Sequence, residues 1–456
     1  MNKKSLSVTL AVLMLGGVIS FCVPGSAEET KNNNIGTSEH SGRRRYQKQP
    51  PPCDLPCNLD KDGKDKDSKN EDNEDNQGNG IPVKIKQKDA QIELGGALIW
   101  NFHYFNGAHS KNIQKGHPWY SESELRQASI NLKSKFNKNW QAELQVSFND
   151  DADPGSEIDD AAIKFTGWDD INLIMGKAKE PFGLEELNSS GDITANERSM
   201  ATSAFAPGRH PGLGLFADMG RFTWAIGVYK AIDREDKGDT YALTGRLTFA
   251  PWQHKSGVLH LGLAGSVRDF SGEKYEIKER AEVHTAEKVV VSSKILADTV
   301  SLFELEAAWV KGPFSLQAEY MAASIEADIG DNATYAGYYL LGSYCLTGES
   351  RPYKNGTFSG IKPKSRYGAV ELMSRYSILD AEGKSTDPHR NTPGVKAVNL
   401  TFGVNYYINE QVRLTANYID TRLTGDTSDA SNDKDSDEDS NKDSANAISF
   451  RVQYSF

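Results

Sequence analysis

Beyond its first 27 residues the sequence contains no apolar run of about 18 residues, so no helix in it is built to cross a bilayer. Cysteine is scarce, with four in 456 residues, which excludes a disulfide-knit secreted scaffold. Positive charge is in deficit. The formal net charge is −11, and a chain without a basic surplus is a poor partner for nucleic acid. Catalytic signatures are missing too, with no G-x-S-x-G and no obvious Ser/His pair on one strand face. His103, His109 and His117 match no metal-ligand spacing and read as exposed loop histidines. Asp150, Asp151 and Asp153 read as a solvated loop, as does the Asp60–Asp65 charge run, which lacks the closing glutamate of a calcium loop. The expectation is a protein with no catalytic residue, cofactor or metal.

What is present begins with a secretory signal over residues 1–27. Lys3 and Lys4 give the positive start, Val8 to Val23 the apolar stretch, and Gly25-Ser26-Ala27 the small-residue cleavage site. Phe21 before Cys22 is too bulky for lipoprotein processing, which places cleavage after Ala27. Residues 28–81 carry almost no large apolar side chain and run from Arg43-Arg44-Arg45 through Pro50-Pro51-Pro52 into a Lys/Asp/Asn tract. Such a segment cannot bury enough surface to offset its ordering entropy, so a disordered charged linker is expected. Within it Cys53 and Cys57 are spaced for a small disulfide loop in an oxidising compartment, and CxxxC without further ligands is thin evidence for metal.

Residues 82–456 read as strands. On the last ten residues Phe450, Val452, Tyr454 and Phe456 share one face and Ser449, Arg451, Gln453 and Ser455 the other. Period-2 alternation over that length suits a barrel strand with lipid on one side and a wet lumen on the other. Sixteen such segments are expected at 91–105, 124–134, 140–149, 158–166, 170–179, 213–219, 222–230, 240–250, 258–269, 299–310, 313–324, 334–347, 366–378, 396–408, 411–420 and 447–456. Short turns alternate with long polar loops, as in porins; the long 348–365 segment on the short-turn side breaks that rule. Phe136 and Trp140, Phe165 and Trp168, Phe249 and Trp252, Trp309 and Phe314, and Tyr406 and Tyr407 gather beside the short turns, where an interfacial girdle belongs. The fold class is therefore all-β: an antiparallel transmembrane β-barrel of about 16 strands.

Phe182-Gly183-Leu184-Glu185-Glu186 through Ser189-Ser190 to Glu197-Arg198 resembles the third-loop segment of the phosphate-selective porin O and P family. Gly245–Pro251, Val258–Leu263 with Arg268-Asp269, Tyr344–Glu349, Tyr353-Lys354, Ile361–Pro363 and Gly403–Tyr407 are similar to that family in the same order. The resemblance implies a trimeric outer-membrane channel whose third loop narrows the pore. It also implies small anionic or polar solutes, outer-membrane lipid and the barrel-assembly machinery as partners. The machinery would read the aromatic carboxy-terminus.

Carried over residue by residue, the resemblance implies a constriction lined by Arg126, Asp159, Lys179, Glu186, Ser189, Ser190 and Arg198, with Lys354 and Lys362 as basic residues on the periplasmic side. Most of the departures thin its positive charge. Ala97 and Gln127 stand for arginines, Ser129 for a tyrosine and Glu186 for a lysine, whereas Lys179 replaces a tyrosine; the fifth loop also interleaves its lysines with glutamates. Weakened phosphate selectivity is the expectation. Strict alternation along 124–134 turns Arg126 toward lipid, so it reaches the pore only through a bulge or above the hydrocarbon band. The alternative reading is a surface adhesin acting through the acidic 421–446 loop.

Overall fold

The computed structural model describes residues 83–87, 90–109, 119–149, 155–231, 240–385, 391–425 and 444–456. The leader, the linker with Cys53 and Cys57, His117, the Asp150–Asp153 cluster and most of the acidic 421–446 loop lie outside the described residues.

Sixteen antiparallel strands make the wall: β1 Ala90–Asn106, β2 Trp119–Phe136, β3 Trp140–Asn149, β4 Gly155–Phe165, β5 Ile171–Lys179, β6 Arg209–Asp218, β7 Phe222–Lys230, β8 Tyr241–His254, β9 Gly257–Tyr275, β10 Ile295–Lys311, β11 Phe314–Ala327, β12 Ala333–Cys345, β13 Ala369–Ser385, β14 Val395–Tyr407, β15 Val412–Gly425 and β16 Ser444–Ser455. Each pairs with the next. The ring closes where β16 returns to β1, with Ala97 opposite Ser455 and Phe105 opposite Ala447. Closure leaves no open edge in a solvent that cannot hydrogen-bond one. A short strand, Val83–Gln87, continues along β1 from Leu94 to Ala90, beyond the end of β16.

Every expected strand is present. The differences lie mostly at the long-loop ends, where β9 runs to Tyr275 rather than 269, β10 starts at Ile295 rather than 299 and β13 runs to Ser385 rather than 378; at the short-turn end β8 runs to His254 rather than 250. Alternation is imposed by lipid on one face. Above the hydrocarbon the hydrogen-bond ladder continues, but the period-2 signal fades.

The faces of β16 are as the alternation predicts. Phe450, Val452 and Tyr454 are exposed on the outside, while Ser449, Arg451 and Gln453 are buried inside. At the short-turn end Phe136, Trp168, Phe249, Trp252, Phe314 and Tyr406 are exposed. Tyr407 does not join them. It is buried and donates its hydroxyl to Glu371 Oε2 at 2.7 Å, because adjacent strand residues face opposite sides.

The inner face is not wet all round. Lumen-facing side chains of β3 to β5 are mostly half-exposed, but those of β10 to β16 are mostly buried. The inward Val300, Met321, Ile325 and Leu379 pack with Phe182, Met200 and Phe205 of the third loop and Ile277 and Val290 of the fifth. These two inserts cover one wall and leave the other open. A uniformly wet, polar lumen is thus corrected: where a loop packs on it, the wall is dry and mixes apolar side chains with buried polar ones.

Candidate functional site: the loop-lined channel

The third loop, residues 180–208, leaves β5 and re-enters at β6, its base closed by Glu180 N–H donating to Gly208 O at 2.9 Å. It contains two short helices, α1 Leu184–Leu187 and α2 Met200–Phe205. Gly183 takes φ +84 at the entrance to α1, a conformation side chains resist. The free N–H groups that open α1 are satisfied by the barrel wall. Gly183 donates to Glu304 Oε2 at 2.6 Å, and Leu184 and Glu185 each donate to Glu319 at 2.8 Å. Further along, Gln453 donates to Gly191 O, Arg351 to Asp192 O, Arg413 to Ile193 O and Asn405 to Thr194 O. The loop is sewn to the inside of β10 to β16 and faces the open wall.

Lys179, Glu186 and Arg198 come together there. Glu186 Oε1 lies 3.4 Å from Lys179 Nζ and its Oε2 3.0 Å from Arg198 Nε. Lys179 also donates to Glu186 O, and to Asn188 O at 3.3 Å. Burial pushes the Glu186 carboxyl up, but Arg198 and Lys179 more than offset it and hold it below the usual carboxylate range. Beside them Arg209 pairs with Asp160 at 3.2 Å. Ser190 Oγ donates to Gln127 Oε1 at 2.9 Å, and Ser189 Oγ accepts from Gly191 N–H.

Arg126 reaches the lumen through a bulge. The β1–β2 register shifts between Ile99 and Trp100, opposite Gln127 and Leu125, so Arg126 is the extra residue. Its Nε and Nη2 meet Glu197 at 3.2 and 3.1 Å, and Arg451 Nη2 meets the same carboxylate at 2.7 Å. Burial raises the Glu197 carboxyl, but Arg126 and Arg451 outweigh it and bring it down to about 2. Asp159 is brought in by a second bulge, between Gln145 and Val146 of the facing strand. It accepts from Gln145 at 2.8 Å and from Ser147.

Lys354 and Lys362 stand apart from this cluster. Lys354 belongs to a hairpin, Tyr353–Lys354 with Thr357–Phe358, that rises inside the barrel from the short-turn end. Gly356 O accepts from Arg246 at 2.8 Å, and Phe358 N–H donates to Asn188 Oδ1 of the third loop at 2.9 Å. This explains the anomalous length of 348–365. Lys362 pairs loosely with Glu410 at 3.8 Å.

Two sequence expectations fail here. His103 and His109 are buried, not exposed. His103 Nε2 and His284 Nδ1, the latter on the fifth loop, flank Glu124 at 3.1 and 2.6 Å. Burial, with His103 second, holds the His109 imidazole down at about 4, so it stays neutral. The sequence reading also missed Arg375, which ties Glu185 of the third loop to Glu282 of the fifth at 3.1 and 2.8 Å. Arg209, Asp160 and Arg451 went unremarked as partners, although the inward face of β16 already carried Arg451.

The family model for phosphate-selective porin O and P matches residues 92–456. Porin O of Pseudomonas aeruginosa is 29% identical over 392 residues, covering 78% of this chain and 88% of that protein. Among solved structures, the outer-membrane protein OmpT of Vibrio cholerae is similar with a TM-score of 0.54 and 12% identity, over 82% of this chain and 100% of that one. An anion-selective porin from Comamonas acidovorans follows with a TM-score of 0.51 and 13% identity, over 81% and 100%. The closed sixteen-stranded barrel, the inward third loop and the family match across most of the chain agree: this chain belongs to the phosphate-selective porin O and P family and is an outer-membrane porin.

Proposed function

We propose that the channel passes small anionic and polar solutes by passive diffusion with only a weak preference for anions. The observation that carries this reading is Glu186, held between Lys179 and Arg198 at the neck. An anion stripped of water needs cations free to replace its hydration; here both bases already have a carboxylate. At a partly dehydrated neck one unit charge at 4 Å is worth roughly 4 kcal/mol at an effective dielectric near 20, so the Glu186 charge largely cancels one base. Asp159, Ser189, Ser190 and Arg198 line this neck with it, Arg126 flanks it beside Glu197, and Lys354 and Lys362 serve the periplasmic exit. The working unit is a homotrimer in outer-membrane lipid, inserted by the barrel-assembly machinery; a trimer form is described for OmpT, which shares the fold.

Reversal potentials in a KCl gradient across a planar bilayer test the reading. The expected outcome is a small anion bias with no block of chloride current by micromolar phosphate. Glu186→Lys should move the reversal potential toward anions and introduce block by millimolar phosphate. Strong anion selectivity with tight phosphate block in the unaltered protein would overturn the proposal.

A further inference from the structure

The ion pairs inside the barrel fall into two classes. Those that fasten the third loop and the short-turn hairpin to the covered wall are short and dry. Arg246–Glu306, Arg268–Glu180, Arg351–Glu371 and Arg375–Glu185 span 2.6 to 3.1 Å, with both side chains below a tenth exposed. Those that face the open wall are longer and wet. Glu186 meets Lys179 and Arg198, and Asp160 meets Arg209, at 3.0 to 3.4 Å, with Arg198 and Arg209 20% and 26% exposed. Toward the short turns Glu143 stands between Lys133 and Lys164 at 3.2 and 3.4 Å, and the two lysines are over a third exposed.

These open pairs can exchange partners with a passing solute, and the exchange has a charge rule. A monoanion that takes Arg198 from Glu186 leaves that carboxylate with Lys179 alone in a partly dehydrated neck, which costs free energy. A monocation that takes Glu186 strands Lys179 and Arg198 in the same way. A solute with both charges a few ångströms apart replaces both partners at once and strands neither. A neutral solute displaces water without gaining a charged contact.

Resting on the channel reading above, and deepening it, we propose that the neck favours dipolar ions: small solutes bearing an ammonium and a carboxylate, such as α-amino acids, over monoanions, monocations and neutral molecules of equal size. The row of alternating charge along β2 to β6 serves as the exchange track. Glu186 and Asp160 act as the ammonium-side contacts, with Arg198, Arg209 and Lys179 as the carboxylate-side contacts.

The test uses the full-length protein in proteoliposomes, with tracer fluxes at low concentration and pH 6 of alanine, lactate, lactamide and alaninamide. Alanine is expected to outrun lactate by about tenfold, equivalent to about 1.4 kcal/mol, and to outrun lactamide and alaninamide as well. Glu186→Gln strips the neck of one carboxylate and should reverse the alanine-to-lactate order. Asp160→Asn, which lies off the third loop, should weaken that order and supplies the test if Glu186→Gln fails to insert. Equal fluxes of alanine and lactamide through protein that conducts KCl would overturn the dipolar-ion proposal alone. Absence of KCl conductance would instead overturn the channel reading on which it rests.

Discussion

Arg375 is the side chain on which two loops depend. It is 1% exposed and holds Glu185, the Glu197 carbonyl and Glu282 at once. Removing it leaves two buried carboxylates without their cation, a loss of about 3–5 kcal/mol for a broken buried pair. Arg375→Ala is expected to insert as a barrel but to give noisy, enlarged single-channel currents and faster protease cleavage within 180–208. Currents as quiet as those of the unaltered protein would show that the loop is held without it. Acid should act differently. Glu197 is depressed from 4.5 to about 2, with burial raising it and Arg126 and Arg451 lowering it more. A depressed carboxyl contributes its full stability above about 4.5 and loses it only as pH falls through about 2. The Arg126–Glu197 tie should therefore leave conductance flat from neutrality to about pH 4.5, and a step in that range would assign the loop's hold to another group. Arg126 was legible in the sequence through the family resemblance, and the bulge settles the conflict that its parity raised. Arg375 was not. Its partner Glu185 lies 190 residues away in sequence, and local pattern carries no trace of so distant a pairing.

At the scale of elements, strands were legible from their own pattern, whereas of the inserts only the third loop was, and that through the family resemblance. A strand in a barrel wall has one face set by lipid, so the order apolar, polar, apolar marks it within the hydrocarbon. The third and fifth loops obey no such period, and they convert lumen-facing positions such as Met321 and Ile325 into core, which blurs the alternation of β11. The closing seam is the element with the sharpest local chemistry. Gly96 and Phe456 exchange two backbone hydrogen bonds of 3.0 Å, and the ring of Phe456 stacks near Tyr454 with centroids 5.9 Å apart. A Cβ on Gly96 would come within 2.4 Å of Ser129 O and 2.7 Å of the Phe456 ring. Gly96→Ala should therefore lower the midpoint of thermal unfolding of the barrel. If the aromatic terminus is an assembly signal, as the family resemblance implies, deleting Phe456 should cut outer-membrane yield far more than it lowers that midpoint. Equal yields would leave Phe456 as packing only. For the fifth loop, Glu124→Gln should weaken the grip on His284 and expose residues 276–294 to protease, with β9 and β10 intact.

For the molecule as a whole, the distribution of charge along the open wall sets how selectivity responds to salt. Toward the third loop's far end two arginines, Arg126 and Arg451, share Glu197; toward the short turns two lysines, Lys133 and Lys164, share Glu143. Between them the neck is balanced, with Glu186, Asp160 and Asp159 matched against Lys179, Arg198 and Arg209. Both ends are thus basic and the middle is compensated. At roughly 0.01 M salt the Debye length is about 30 Å, long enough for both basic ends to act on an ion anywhere in the barrel. At about 1 M it shrinks to about 3 Å, and an ion feels only the side chains it touches. The anion-to-cation permeability ratio should therefore be highest in dilute KCl and approach unity at about 1 M. Glu143→Gln frees the charge of two lysines outside the neck. It should raise the ratio in dilute salt while leaving it unchanged at high salt, whereas Glu186→Lys should raise it at both. A ratio that holds constant from dilute to concentrated KCl would mean that selectivity is decided by contact at the neck alone, and that the basic ends contribute nothing to it.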